Sequence, residues 1–76
     1  MEISIQEKVE HVAQHFNWKI IPDTTCISID GPIERRGWNF YIKCISGNNW
    51  FHENEIEKLY KLTMLFESVN SILTGV

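Results

Sequence analysis

The stretch from Thr24 to Phe51 places the strongest constraint on the fold. Its densest part, residues 36–45 (RGWNFYIKCI), alternates large apolar side chains with other residues and is rich in aromatic and β-branched types. Such alternation is typical of a β-strand with one buried face. Similar residues recur on each side, at 24–30 and 50–52. The pattern therefore predicts a central strand that pairs with one strand on each side.

A helix is predicted before this strand region. The letters SIQE at residues 4–7 match a capping box, in which the serine side chain accepts a hydrogen bond from the first turn of the helix. Apolar residues then recur at helical spacing. We expect the helix to run from Ile5 to His15 or Phe16, with Asn17 ending it in the left-handed conformation.

A second helix is predicted after the strands. Its apolar stripe has alternating spacings of three and four and comprises Leu59, Leu62, Phe66, Val69 and Leu73. The stripe predicts a helix from about Asn54 to Leu73, with Asn54 as its cap. The expected fold is α+β, in the order α-β-β-β-α, with a three-stranded antiparallel sheet and two helices packed on one face.

Composition indicates a single small globular domain over residues 1–76. The hydrophobic fraction of 43% and three tryptophans are ample for a core. No apolar run approaches the roughly 18 residues that span a bilayer. The first seven residues lack the basic and apolar regions of a signal peptide, so a cytoplasmic location is expected. A net charge of −3 argues against nucleic acid and favours a larger, locally basic protein partner.

Hydrophobic matching between strands predicts which side chains share a face. We expect Ile27 opposite Phe40, and a tight second turn at Gly47-Asn48 or Asn48-Asn49. The turn at Gly47-Asn48 places Phe51 opposite Cys44. The core face would then comprise Ile27, Ile29, Trp38, Phe40, Ile42, Cys44 and Phe51. Cys26 falls on the other face from Cys44. Two free thiols are therefore expected.

The other face of the sheet is the predicted partner-binding surface. It would hold Cys26, Asn39, Tyr41, Lys43, Ile45, Trp50 and His52. Tyrosine and tryptophan are enriched among the residues that anchor protein interfaces. Three alternatives stay open. A three-residue second turn would move Trp50 to the core face, a terminus or loop could cover the other face, or these residues are scattered exposed apolar side chains.

Two groups of charged residues are further candidates for partner contacts. Glu53, Glu55 and Glu57 begin the second helix, where they complement the helix dipole and could also form an acidic patch for a basic partner. Arg35 and Arg36 lie on a loop beside aromatic residues, a combination that can contact phosphate.

Catalytic and metal-binding motifs are not evident. His11 and His15 have the i, i+4 spacing that can chelate zinc, but the Glu of a zincin motif does not follow His11. No third ligand is near in sequence, and His52 could join the pair only if the fold brings it close in space. No nucleophile-base order, phosphate loop or carboxylate pair stands out. The sequence predicts no enzyme activity, no cofactor and no metal.

The element order over nearly the whole chain resembles that of the double-stranded-RNA-binding domain. That family contacts RNA through its first helix, the loop between its first two strands and lysines that begin its last helix. The matching loop here holds Arg35 and Arg36. The matching helix start, residues 52–58 (HENEIEK), carries three glutamates that would repel phosphate. The size and acidity of the chain also resemble those of small phage-encoded inhibitors of host or defence enzymes.

These observations lead to three hypotheses. The first is a non-enzymatic protein-binding module, an inhibitor or adaptor of a larger nucleic-acid-processing or defence enzyme. The second is RNA or DNA binding through Arg35, Arg36 and Lys43. The third is a homodimer formed through the edge or face of the open sheet.

Overall fold

The computed structural model describes residues 3–74. Along the chain, one helix precedes and one helix follows the strands of an antiparallel sheet. The elements are α1 (Ile5–Phe16), β1 (Lys19–Ile20), β2 (Cys26–Ser28), β3 (Gly37–Cys44), β4 (Gly47–His52) and α2 (Glu53–Thr74), with a 3-10 turn at Ile33–Arg35. The predicted α+β class is confirmed. The sheet has four strands where three were predicted.

The fourth strand arises because one edge of the sheet is broken in two. β3 is central, β4 pairs with one side of it, and β1 and β2 both pair with the other side. Pro22 follows β1 and has no N–H for the ladder. Asp23 then adopts a positive φ of 63°, and the Thr24 hydroxyl donates to the Ile21 carbonyl at 2.7 Å. This local turn interrupts a single edge strand, so the sheet is three strands wide.

The predicted faces are confirmed, but the predicted registers are wrong. Ile27 lies opposite Trp38 rather than Phe40, and Phe51 lies opposite Phe40 rather than Cys44. Both shifts are by an even number of residues, which leaves every side chain on its predicted face. The second turn is at residues 45–46, because Gly47 already pairs with Cys44. This earlier turn allows a longer ladder and aligns two phenylalanines in the core.

The helix ends follow local signals with one exception. The Ser4 hydroxyl accepts from the Glu7 N–H at 3.2 Å, and Asn17 ends α1 at φ 60°, as predicted. α2 begins at Glu53, one residue before the predicted Asn54 cap. The His52 ring caps it instead, since Nδ1 of His52 accepts from the Asn54 N–H at 3.1 Å.

Both helices pack on the same face of the sheet, as predicted. Val9 of α1 and Ile56 of α2 meet Phe40 and Ile42 of β3 in a fully buried cluster.

Three residues predicted to lie in the core are exposed. Ile29 is 72% exposed because β2 ends before it. Ile27 and Trp38 lie opposite each other on the core face but are 53% and 40% exposed, because the buried cluster is centred on Phe40 and Ile42. Within residues 3–74, neither helix has the length and apolar character needed to cross a membrane.

The two cysteines are free thiols, as predicted. Cys26 is exposed on the edge of the sheet, opposite Asn39 of β3. Cys44 is half-buried and packs against the core cluster. Their side chains lie on opposite faces of the sheet, which excludes a bridge between them.

Candidate binding surface

The face of the sheet that points away from both helices carries an aromatic pair. Tyr41 of β3 lies directly opposite Trp50 of β4, with ring centroids 4.8 Å apart and an interplanar angle of 34°. Trp50 is 52% exposed and Tyr41 is half-buried. We call this face, with its lysines Lys19 and Lys43, the outer face. Its aromatic pair is fixed by two hydrogen-bonded strands and is accessible to a ligand.

The outer face is locally basic although the whole chain is acidic. Lys43 of β3 pairs with Lys19 of β1, so both ammonium groups are on the same face as the aromatic pair. The four strands contain no aspartate or glutamate. Like charges directly opposite each other destabilise a sheet. The pairing of Lys19 with Lys43 therefore does not help the sheet to fold, and a role in binding would explain why two lysines lie here.

Asn39 and His52 form the next pair along the same face, but His52 has structural partners. Nδ1 of His52 accepts from the Asn54 N–H, and Nε2 lies 2.8 Å from the Arg36 carbonyl, to which its N–H donates. One neutral tautomer satisfies both contacts. The Asn39 amide donates to the Ser28 hydroxyl at 2.9 Å. His52 thus caps α2 and holds the end of the β2–β3 connection at Arg36.

The two arginines lie outside the outer face. Nε of Arg36 donates to the Gly31 carbonyl at 3.0 Å. Arg35 lines an open groove of about 760 Å³ between the β2–β3 connection and the start of α2, which borders the outer face at Asn39 and His52. Asp30, Glu34 and Glu55 line the same groove, so carboxylates outnumber the guanidinium there. The excess of negative charge makes binding of a phosphate group in this groove unfavourable.

The three glutamates at the start of α2 do not form one free acidic patch. Oε1 of Glu53 accepts from the Trp38 N–H at 2.9 Å. Both carboxylate oxygens of Glu57 accept from Nζ of Lys8, at 2.8 and 2.9 Å. Glu55 is exposed beside the groove. Two of these side chains therefore hold α2 to β3 and to α1.

The structure brings together part of the set of predicted contact residues. Tyr41, Lys43 and Trp50 are neighbours on the outer face. Ile45 is 94% exposed at the turn that joins β3 and β4, beyond the end of the ladder. Asn39, His52 and Cys26 occupy the other end of this face. Arg35 and Glu55 line the groove that Asn39 and His52 also line. Arg36, Glu53 and Glu57 are held by the hydrogen bonds described above, away from the aromatic pair.

The positions of two side chains, Lys19 and Glu67, are not evident from the sequence. Lys19 is not among the residues predicted for the outer face. In the structure β1 pairs with β3, and this register places Lys19 opposite Lys43. Oε1 of Glu67 lies 3.0 Å from Nε2 of His11 and 3.5 Å from Nδ1 of His15, so this carboxylate joins the histidine pair across the helix interface. Among the described residues, no group of three or more His, Cys, Asp and Glu is arranged to hold a metal ion.

Comparison with protein families, curated proteins and solved structures gives no match for this chain. Its function is therefore inferred from the geometry of its surface.

Proposed function

We propose that this chain is a non-enzymatic protein-binding module that acts as an inhibitor or adaptor of a larger partner and docks through the outer face. The observation that carries the proposal is the accessible Tyr41–Trp50 pair, flanked by Lys19 and Lys43. Aromatic side chains of this kind dominate the energetics of many interfaces. Because both rings stand on paired strands, little conformational entropy is lost when a partner covers them.

The charge of the outer face indicates the chemistry of the partner. Two lysines beside an aromatic centre fit a surface with apolar side chains surrounded by carboxylates. The locally basic partner expected from the net charge would have to use other residues, such as Glu55. For the outer face, the proposed partner surface is acidic at its rim.

The test is affinity capture from a lysate of the native host, followed by titration of the purified partner. The double variant Tyr41→Ala/Trp50→Ala should weaken binding by about 30-fold or more, the loss expected for a central aromatic anchor. Ile33→Ala is the matched control, because Ile33 is exposed and apolar but lies in the 3-10 turn. Circular dichroism should show all variants folded.

Equal affinity of the double variant and wild-type protein for the captured partner would refute the proposal. Equal losses in the double variant and in Ile33→Ala would also count against it, because the effect would then not be specific to the outer face.

Nucleic acid is the second candidate ligand, favoured by the proximity of Lys19 and Lys43 to the aromatic pair. A single-stranded segment could stack bases on Tyr41 and Trp50 while the lysines contact phosphates. This site differs from the loop of Arg35 and Arg36 that the sequence alone favours for phosphate.

A gel-shift assay at low salt with single- and double-stranded RNA and DNA distinguishes the two candidates. Nucleic-acid binding requires affinity that falls steeply with salt and a smaller salt dependence in Lys43→Ala. Non-specific binding has a dissociation constant of roughly 1–100 μM at physiological salt and is tighter at low salt, so absence of a shift at about 50 μM protein in low salt would reject this candidate.

A further inference from the structure

The second half of α2 exposes a continuous apolar stripe. Six of its side chains are between 44% and 79% exposed: Leu62, Leu65, Phe66, Val69, Ile72 and Leu73. We call these residues the α2 stripe. Monomeric proteins rarely expose contiguous apolar patches of more than a few hundred Å². The core of the monomer does not bury these six side chains, so packing in the core does not explain why this half of the helix is apolar.

The α2 stripe and the packed face of α2 point in different directions. Ile56 and Thr63 are fully buried, and Tyr60 and Glu67 contact His11 of α1. These four residues are spaced by four, three and four and share one side of the helix. The α2 stripe follows its own spacing of three, four and three through Leu62, Leu65, Val69 and Ile72. At about 100° per residue, this places these four residues on a separate face that points away from α1, with Phe66 at the edge of the α2 stripe where it contacts His15.

The end of α2 extends past its neighbour. His15, in the last turn of α1, contacts Phe66 and Glu67. α2 continues to Thr74, about 10 Å further at 1.5 Å per residue. Residues 68–73 are all exposed. Helices of this kind depend on packing for most of their stability. Burial of the exposed apolar side chains Val69, Ile72 and Leu73 against a second surface would therefore stabilise the last turns of α2.

We propose that the α2 stripe is the interface of a symmetric homodimer in which α2 packs against α2 of a second copy. The spacing of its apolar residues is that of a two-helix seam, with Leu62 and Val69 at one core position and Leu65 and Ile72 at the other. The first half of α2 already holds the helix in place. Pairing therefore does not have to nucleate it.

The amount of apolar surface fits a second copy. At the exposed fractions given above, the six side chains present on the order of 500 Å². A standard stable interface buries about 800 Å² per partner, and polar residues beside the seam would supply the difference.

Charge also favours self-association over other occupants. Between residues 62 and 73 the one charged side chain is Glu67, which faces His11 and His15 rather than the α2 stripe. Two acidic copies can therefore meet here without like charges in contact. Helices that lie on membranes carry basic residues on their polar face, and after Lys61 this segment has none.

The experiment is sedimentation velocity of the purified chain from about 1 to about 200 μM, which brackets micromolar self-association. Wild-type protein should shift from monomer to dimer within this range. Val69→Glu, at the middle of the α2 stripe, should raise the dimer dissociation constant at least about tenfold, because it buries an unpaired charge. Val69 is 46% exposed in the monomer, so the variant should fold, with a circular dichroism spectrum like that of the wild type.

Met64→Glu is the matched control. It adds the same charge to the same helix at a position that is exposed but off the α2 stripe, and it should dimerise like the wild type. Tyr41→Ala/Trp50→Ala should also dimerise normally, so failure of this inference and failure of the proposed function are distinguishable. A wild-type chain that stays monomeric at about 200 μM overturns the inference, whatever else binds this helix. Equal dimerisation of Val69→Glu and wild-type protein overturns it as well.

Discussion

Gly37 is the position at which a single methyl group should perturb this fold most informatively. Its φ is 122°, a conformation that side-chain-bearing residues rarely adopt. A Cβ at this position would clash with Oε1 of Glu53 and lie 2.8 Å from its Cδ. That same Oε1 accepts the hydrogen bond from the Trp38 N–H. Gly37→Ala must therefore strain the backbone and also displace the carboxylate that joins α2 to β3.

Two costs contribute to the expected destabilisation. The strained backbone conformation costs about 1–3 kcal/mol. Loss of the Glu53 hydrogen bond adds about 1 kcal/mol, which is below the roughly 1.5–3 kcal/mol of a charged acceptor because the bond is exposed. The sum of about 3 kcal/mol is a large fraction of the roughly 4–11 kcal/mol expected for a chain of this size. At 4–8 °C per kcal/mol, Tm should fall by about 12–24 °C.

Urea denaturation followed by tryptophan fluorescence measures this loss, and Gly47→Ala is the matched control. Gly47 has a similar φ of 128°, but no atom lies within 4 Å of the position that its Cβ would take. Gly47→Ala should therefore carry the backbone cost alone and be about 1 kcal/mol less harmful. In a Glu53→Ala background the difference between the two glycine variants should vanish. If Gly37→Ala costs no more than Gly47→Ala in the wild-type background, the argument from Glu53 is wrong.

Two further stability predictions follow from burial. Ile42→Val should cost about 0.5–1.5 kcal/mol, because Ile42 is fully buried between the sheet and both helices. Ile27→Val, at a site 53% exposed, should cost less than about 0.5 kcal/mol, and equal costs would contradict the assigned core. Lys8→Met should cost at most about 1 kcal/mol, since the ion pair with Glu57 is partly exposed. Methionine keeps an unbranched stem, so the cost should report the ammonium group and shrink as salt is added; a salt-independent cost would contradict its assignment to the ion pair.

The two proposals concern separate surfaces and can hold together. The outer face lies on one side of the sheet, whereas the α2 stripe belongs to the helical layer on the other side. A dimer formed through α2 would leave both outer faces accessible. Such a dimer could engage a repetitive or symmetric partner at two points, which raises the apparent affinity without new contacts.

Local signals in the sequence determined the helices and the faces of the strands. The S-x-x-E letters that begin at Ser4 and the left-handed tendency of Asn17 define the ends of α1, because capping depends on residues within one turn. Alternation in 36–45 assigned Phe40 and Ile42 to the core, since side chains of a strand point to opposite faces in turn. These inferences need no knowledge of distant partners.

Only the tertiary structure decided the registers and the contacts that depend on them. Shifts of two or four residues keep the same faces, so hydrophobic matching cannot distinguish among them. The neighbours Lys19 and Lys43 are far apart in sequence and meet through the β1–β3 register. Glu53 and Glu57 read as a free acidic cluster until β3 and α1 supply their partners.

The apolar pattern of α2 illustrates the same division. The sequence predicted a helix with one broad apolar stripe, and that prediction of the element is confirmed. Which of the apolar residues are buried depends on which face of α2 meets the sheet and α1, and on how far α1 extends along it, to contacts with Phe66 and Glu67. Ile56 lies on the packed face and is buried, whereas Ile72 lies on nearly the opposite face, past these contacts, and is exposed. Periodicity reports which residues share a side of a helix, whereas burial is set by the elements that reach that side.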